Sequence, residues 1–205
     1  MEIEPGSCKD QYIPLDAGID IYIKSAYVIN SELSNWAKEN DILQKLQPVD
    51  SVMELVNAVD IKNYVGIHVR MEGAKGSDQN SYDSSKNWKE ESHKQLNEWR
   101  GKSHYNAFMK RIDNLIEQES DLKLFLAADM KEVYPVFAEK YGDKLAYLAR
   151  EDYDRSVRQL RYGLADAILL SRSKLLLGST WSSFTELAQR LSTTIKLLEM
   201  SGIDF

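Results

Sequence analysis

Apolar and polar residues follow two rhythms along this chain, and from about residue 61 onward the two take turns. Residues 64–69 (Tyr-Val-Gly-Ile-His-Val) are rich in β-branched side chains and lead into Arg70, which predicts a strand. Residues 71–102 are polar and rich in Gly, Ser, Asn and Lys, and read as an insertion. Phe108, Ile112, Leu115 and Ile116 then fall at helical spacing within 105–116. Residues 122–128 predict a strand closing on Asp129. A helix is predicted over 133–141, with Pro135 in its first turn, where proline is tolerated, and Gly142 at its end. A short strand at 145–148, an amphipathic helix at 160–171, a buried strand at 175–178, a further helix and a last strand at 194–198 complete the series. Such alternation implies an α/β fold: a Rossmann-like, three-layer arrangement with a parallel sheet covered on both faces.

Residues 1–60 do not fit the repeat. Ile19 to Ile23 alternate like a strand, and 31–46 and 49–59 look helical, the second beginning just after Pro48. The expected division is therefore an amino-terminal extension, or the remnant of another half, at 1–60 and the Rossmann-like domain at 61–205.

Composition narrows the picture. A chain of 205 residues that is 43% hydrophobic and 28% charged can bury one sizeable core. A net charge of -6 argues against broad binding to nucleic acid or anionic membrane. Cys8 is the only cysteine, so neither an intrachain disulfide nor a cysteine metal site can form. The first residues lack the order of a signal peptide, and no apolar run nears the roughly 20 residues that span a bilayer. A soluble protein is expected: cytoplasmic as the sequence stands, or in the secretory lumen if a longer precursor carries a leader.

Candidate chemistry gathers at strand ends. The run 175–187 passes from an apolar strand through Gly178 into the hydroxyl-rich 179–183 and then into a helix. Backbone N–H groups and the positive end of a helix dipole there favour an anion such as phosphate. Arg70, with its forked donor, suits a pyrophosphate, and His68 shares its face two residues earlier. Asp129 could accept hydrogen bonds from a ribose or base. Ligands of wound α/β sheets sit beyond the carboxyl ends of the strands, where all of these lie. Singly, each has a plainer reading: a core histidine, a surface ion pair, a helix cap. Asp166, mid-helix beside Arg161, also reads as a solvated or paired charge, and Arg155, Arg158 and Arg161 as a solvated helix face. Asp152 and Asp154 form an Asp-x-Asp with no third ligand evident, so no metal is expected. The chain has no Gly-x-Ser-x-Gly, no phosphate-loop Gly-Lys-Ser/Thr and no Gly-x-Gly-x-x-Gly.

Three blocks together resemble the GDP-fucose-dependent fucosyltransferases, namely the protein O-fucosyltransferases and the α-1,6-fucosyltransferases. Residues 64–70 are similar to the family's His-x-Arg block, and 124–129 to its block ending in an aspartate near the nucleoside. Leu160-Arg161, 166–171 and 180–183 resemble its nucleotide-binding helix and Ser/Thr phosphate turn. The likeness spans roughly 61–200, with order and spacing in agreement. It implies the donor-binding half of a metal-independent GT-B glycosyltransferase that transfers fucose from GDP-fucose to an acceptor hydroxyl with inversion. The acceptor would be a glycan or a protein, and the other half would be truncated, reduced or supplied by a partner. The resemblance carries substrate binding onto His68, Arg70, Asp129, Arg161, Asp166, Thr180, Ser182, Ser183 and Phe184, and catalysis onto Arg70 and Glu72. Met71-Glu72-Gly73 stands where the α-1,6 enzymes continue with a second arginine and an aspartate, which leaves Glu72 as the one candidate base. Residues 71–102 are a candidate lid in which Tyr82, Trp88 and Trp99 could stack on a sugar. The alternatives are a nucleotide-sugar-binding module without transfer activity, or a transferase that uses another nucleotide sugar.

Overall fold

A computed structural model of the chain describes residues 18, 31, 34–71, 85, 88–151, 153, 156–193 and 197–205. The strand expected at 19–23, the candidate base Glu72, Tyr82, Asp152 and Asp154 lie outside the described residues. Five parallel strands form one sheet: β1 (Tyr64–Val69), β2 (Lys123–Ala128), β3 (Leu145–Ala146), β4 (Leu175–Gly178) and β5 (Leu197–Met200). Their order is β3-β2-β1-β4-β5, so the chain winds outward from β1 in one direction and then reverses to add β4 and β5 on its other side. The reversal lies between β1 and β4.

The strands formed where the apolar runs predicted them because both sheet faces are covered. All six residues of β1 and all four of β4 are buried. On one face Val65, Ile67, Val69, Leu124 and Leu126 pack with Phe108 and Ile112 of α4 (Tyr105–Gln118) and Phe137 of α5 (Val133–Tyr141). On the other, Tyr64, Phe125 and Leu176 meet Leu169 and Leu170 of α6 (Val157–Ser171) and Ala188 of α7 (Ser183–Leu191). Strand residues alternate between faces, so His68, in step with Tyr64, falls on the α6–α7 side.

The expected extension packs on the domain it precedes, and several element bounds need correction. Val52 and Val56 of α2 (Asp50–Asn57) belong to the same buried cluster as Tyr64, Phe125 and Leu169. Before it, α1 (Trp36–Lys45) buries nothing of its own but is held to α7, where Arg190 bonds Glu39 and Asn40 at 2.7 Å each. The stretch read as a polar insertion ends in a 13-residue helix, α3 (Glu90–Lys102). Its pattern is too polar for periodicity to reveal, since Leu96 and Arg100 are its only buried residues. The helix α6 begins three residues earlier than expected, where the Ser156 hydroxyl accepts from the Gln159 N–H. The last strand starts at Leu197, and 194–196 lie outside the described residues. Among the described residues no helix is long and apolar enough to cross a membrane.

Candidate functional site

The crevice at a sheet reversal is where wound α/β folds leave room for a ligand, because neighbouring connections there depart to opposite faces. Here that crevice is bounded by the ends of β1 and β4. Ser179, just past β4, ties them: its hydroxyl donates to the His68 carbonyl at 2.9 Å and accepts the Arg70 N–H at 2.8 Å. Beyond the last paired residues of the two strands, one side chain thus replaces the ladder and sets Arg70 at the mouth. Gly178 lets the start of α7 (Ser183–Leu191) close on the end of β4, because a Cβ there would lie 2.3 Å from Thr185 Cγ2.

The Arg70 side chain is partly exposed and its Nε lies 3.6 Å from the Asp129 carboxylate. Asp129 also accepts the Met71 N–H at 3.3 Å. The plainer reading of Asp129 as a helix cap yields here: it holds the chain after β1, and Glu132 occupies the cap position of α5.

The turn 179–182 is built from internal bonds. The Thr180 hydroxyl donates to the Ser201 carbonyl at 2.6 Å and its N–H points to the Ser201 hydroxyl, so Thr180 shapes the turn from within. Trp181 takes a left-handed φ of 59° and stacks on Trp99 of α3, ring centres 5.9 Å apart. Lys102 Nζ sits 4.2 Å from the Trp99 ring centre, so Trp99 meets a tryptophan and a lysine of the protein itself. Trp88 is half-buried ahead of α3. Ser182 stands at the α7 cap in extended conformation, and its side chain makes no capping hydrogen bond. Ser183 opens the helix and is exposed.

His68 is buried against this helix start. Its ring lies 4.8 Å from Phe184, and Nδ1 is 2.7 Å from the Thr185 hydroxyl. That hydroxyl donates to the Ser179 carbonyl at 3.3 Å, so it accepts from Nδ1–H and leaves Nε2 as an acceptor. Burial, and then Arg70 and Arg100, lower the His68 pKa from 6.5 to about 3. The imidazole is therefore neutral and serves as a hydrogen-bonding group rather than a base.

A depressed pKa makes the folded state intolerant of protonation. The stability His68 contributes is present above 6.5 and is lost as pH falls towards 3. By linkage about 2 kcal/mol of it disappears between pH 7 and pH 5. Urea unfolding of the wild type and His68→Gln at both pH values should show the wild type losing that amount relative to the variant. A difference between them that does not change with pH would refute the buried neutral imidazole.

Asp166 and Arg161 part company. Asp166 is buried and paired with Arg150, each side chain under 5% exposed, while Arg161 lies exposed on the outer side of α6. The Arg150 guanidinium lies over the rings of Tyr162 (5.1 Å) and Tyr134 (5.9 Å). The Tyr134 hydroxyl closes on the Ala128 N–H and carbonyl at the end of β2. Burial raises the Asp166 pKa from 3.8 to about 7 against the pull of Arg150. Among the described residues no group of three or more His, Cys, Asp or Glu side chains is placed to hold a metal.

The structure thus brings together His68, Arg70, Asp129 and Phe184, adds Thr185 and Ser179 as positioning groups, and sets Asp166 in a neighbouring buried cluster. Arg100 and Arg150 were missed by sequence reasoning. Only the four-residue step from Leu96 could have marked Arg100 as inward-facing, and nothing local connects Arg150 with Asp166.

The fold and site define a class, the doubly wound parallel α/β domain with an arginine–aspartate pair at its reversal point. Among solved structures the chain is similar to POFUT1 in complex with GDP, with a TM-score of 0.51 and 14% identity over 86% of this chain and 57% of that one. It is likewise similar to POFUT1 in its apo form, with a TM-score of 0.50 and 15% identity over 81% of this chain and 50% of that one. At such identity the likeness is one of fold, and the chain spans only about half to three-fifths of those chains. No family model matches the chain, and no characterised protein matches it by sequence.

Proposed function

We propose that this crevice binds GDP-fucose and that the protein transfers its fucose to an acceptor hydroxyl with inversion and without a metal. The observation that carries the reading is the Ser179 bridge, which sets Arg70 beside the hydroxyl-rich turn at the sheet reversal. The fold shared with POFUT1, whose structure holds GDP, supports the choice of base. In the reaction the bond from the anomeric carbon to the β-phosphate oxygen breaks, and its electron pair stays on the phosphate. The acceptor oxygen bonds the carbon from the opposite face, and its proton passes to a base, for which Glu72 is the candidate. Arg70, the backbone N–H groups opening α7 and the hydroxyls of Ser182 and Ser183 would stabilise the charge on the leaving diphosphate, as preorganised donors do.

A thermal-shift panel of GDP-, UDP- and ADP-sugars tests the donor. GDP-fucose and GDP should raise the melting temperature, and a shift only with the other nucleotides would overturn the reading of the base. The second reading is a donor-binding unit without transfer of its own. Slow release of GDP from GDP-fucose by this chain supports transfer chemistry. Tight GDP binding with neither hydrolysis nor transfer supports the binding unit.

A further inference from the structure

The turn that leads into Ser182 and Ser183 is braced from outside α7. Trp181 takes a left-handed φ of 59°, a backbone conformation that is costly for a bulky L-residue. Two elements distant in the sequence meet it there. At the end of β5, Ser201 donates its N–H to the Gly178 carbonyl at 2.9 Å. Its hydroxyl accepts the Thr180 N–H at 3.3 Å, and its carbonyl accepts the Thr180 hydroxyl at 2.6 Å. In the last turn of α3, Trp99 stacks on Trp181 itself. The two braces are joined to each other. The Ser103 hydroxyl, just past α3, lies 2.7 Å from that of Ser201, and both serines are fully buried. Beside them Gly202 packs so closely on Lys102 that a Cβ would lie 2.8 Å from it. Ser182 makes no capping hydrogen bond, so the backbone of the turn, not a side-chain cap, sets where its hydroxyl and the opening of α7 face.

We propose that Trp99 and Ser201 are positioning residues, which hold the 179–182 turn in the conformation that presents Ser182, Ser183 and the first N–H groups of α7 to the crevice. The inference rests on the anion binding proposed above and deepens it. The competent form of the turn is the strained one, so apparent affinity scales with the fraction of molecules that hold it. Loosening either brace lets Trp181 return to a negative φ and lowers that fraction, without removing a group that meets the ligand. Relieving the strain at its source should raise the fraction again, because glycine takes a positive φ about as readily as a negative one.

The test is calorimetric binding of GDP to the wild type, Ser201→Ala, Trp99→Leu, Ser173→Ala and the double variant Trp99→Leu with Trp181→Gly. Ser173 is the control. It is fully buried, donates to the Leu170 carbonyl at 2.7 Å, and precedes β4 at the opposite edge of the sheet. Ser201→Ala and Trp99→Leu should each weaken GDP binding by about 10-fold, the upper range for one buried hydrogen bond or one aromatic pair. Ser173→Ala should bind GDP as the wild type does, whatever stability it loses in urea. The double variant should bind GDP more tightly than Trp99→Leu alone, a recovery that the loss of a second aromatic ring cannot give through packing. An unchanged GDP affinity in either single variant, an equal loss in Ser173→Ala, or a double variant no tighter than Trp99→Leu would overturn the inference and leave the proposed function standing. A wild type that binds no GDP would overturn both.

Discussion

Arg70→Ala should lower turnover with GDP-fucose by about 10²–10³, the usual effect of removing one preorganised donor from a developing oxyanion. GDP affinity should fall with it. The size follows from how the residue is held. Its backbone N–H is fixed by Ser179, and its guanidinium is steadied by Asp129 at 3.6 Å, so little reorganisation is needed when charge develops. The alanine variant removes the fork and also leaves the Asp129 carboxylate facing the anion. Arg70→Ala with Asp129→Asn should therefore bind GDP better than Arg70→Ala alone. Arg70→Lys should fall between wild type and alanine, because a point charge cannot grip two oxygens in the same way. Calorimetry and steady-state turnover on folded variants decide the matter, and unchanged turnover in Arg70→Ala removes Arg70 from the mechanism.

What the sequence made legible was whatever burial wrote into it. The strands β1, β2 and β4 are covered on both faces and read as unbroken apolar runs. The helix α5 falls on its predicted residues because Pro135 and Gly142, the latter at φ 52°, mark its start and stop. Strand ends then marked the candidate site, since in a parallel sheet Arg70 and Ser179 lie at the same edge whatever the order of the strands. Long-range pairing was not legible. Nothing in spacing links Asp166 with Arg150, while Arg161 is exposed, as its reading as part of a solvated helix face predicts. The helix α3 was missed because its inward face carries an arginine and a serine where periodicity looks for leucine.

The buried Arg150–Asp166 pair should respond asymmetrically to being broken. Both side chains are under 5% exposed. The guanidinium cannot shed its proton at any accessible pH, whereas the carboxyl can take one up. Asp166→Leu thus strands a full charge over the rings of Tyr134 and Tyr162, and should cost about 3–5 kcal/mol of stability. Arg150→Met leaves a carboxyl that neutralises itself, and should cost less near pH 6. Burial already holds the Asp166 pKa up at about 7, and losing Arg150 would push it higher. A raised folded-state pKa gives stability that is whole below the unfolded value of 3.8 and fades as pH rises through the folded one. Arg150→Met should therefore lose stability more steeply than wild type between pH 6 and pH 9. Asp166→Leu with Arg150→Met removes both charges, and should recover most of what Asp166→Leu alone loses. Urea unfolding at the two pH values measures all three. Equal costs for the single variants, or a double variant as unstable as their sum, would mean that the pair is held by something other than the mutual need of two desolvated charges.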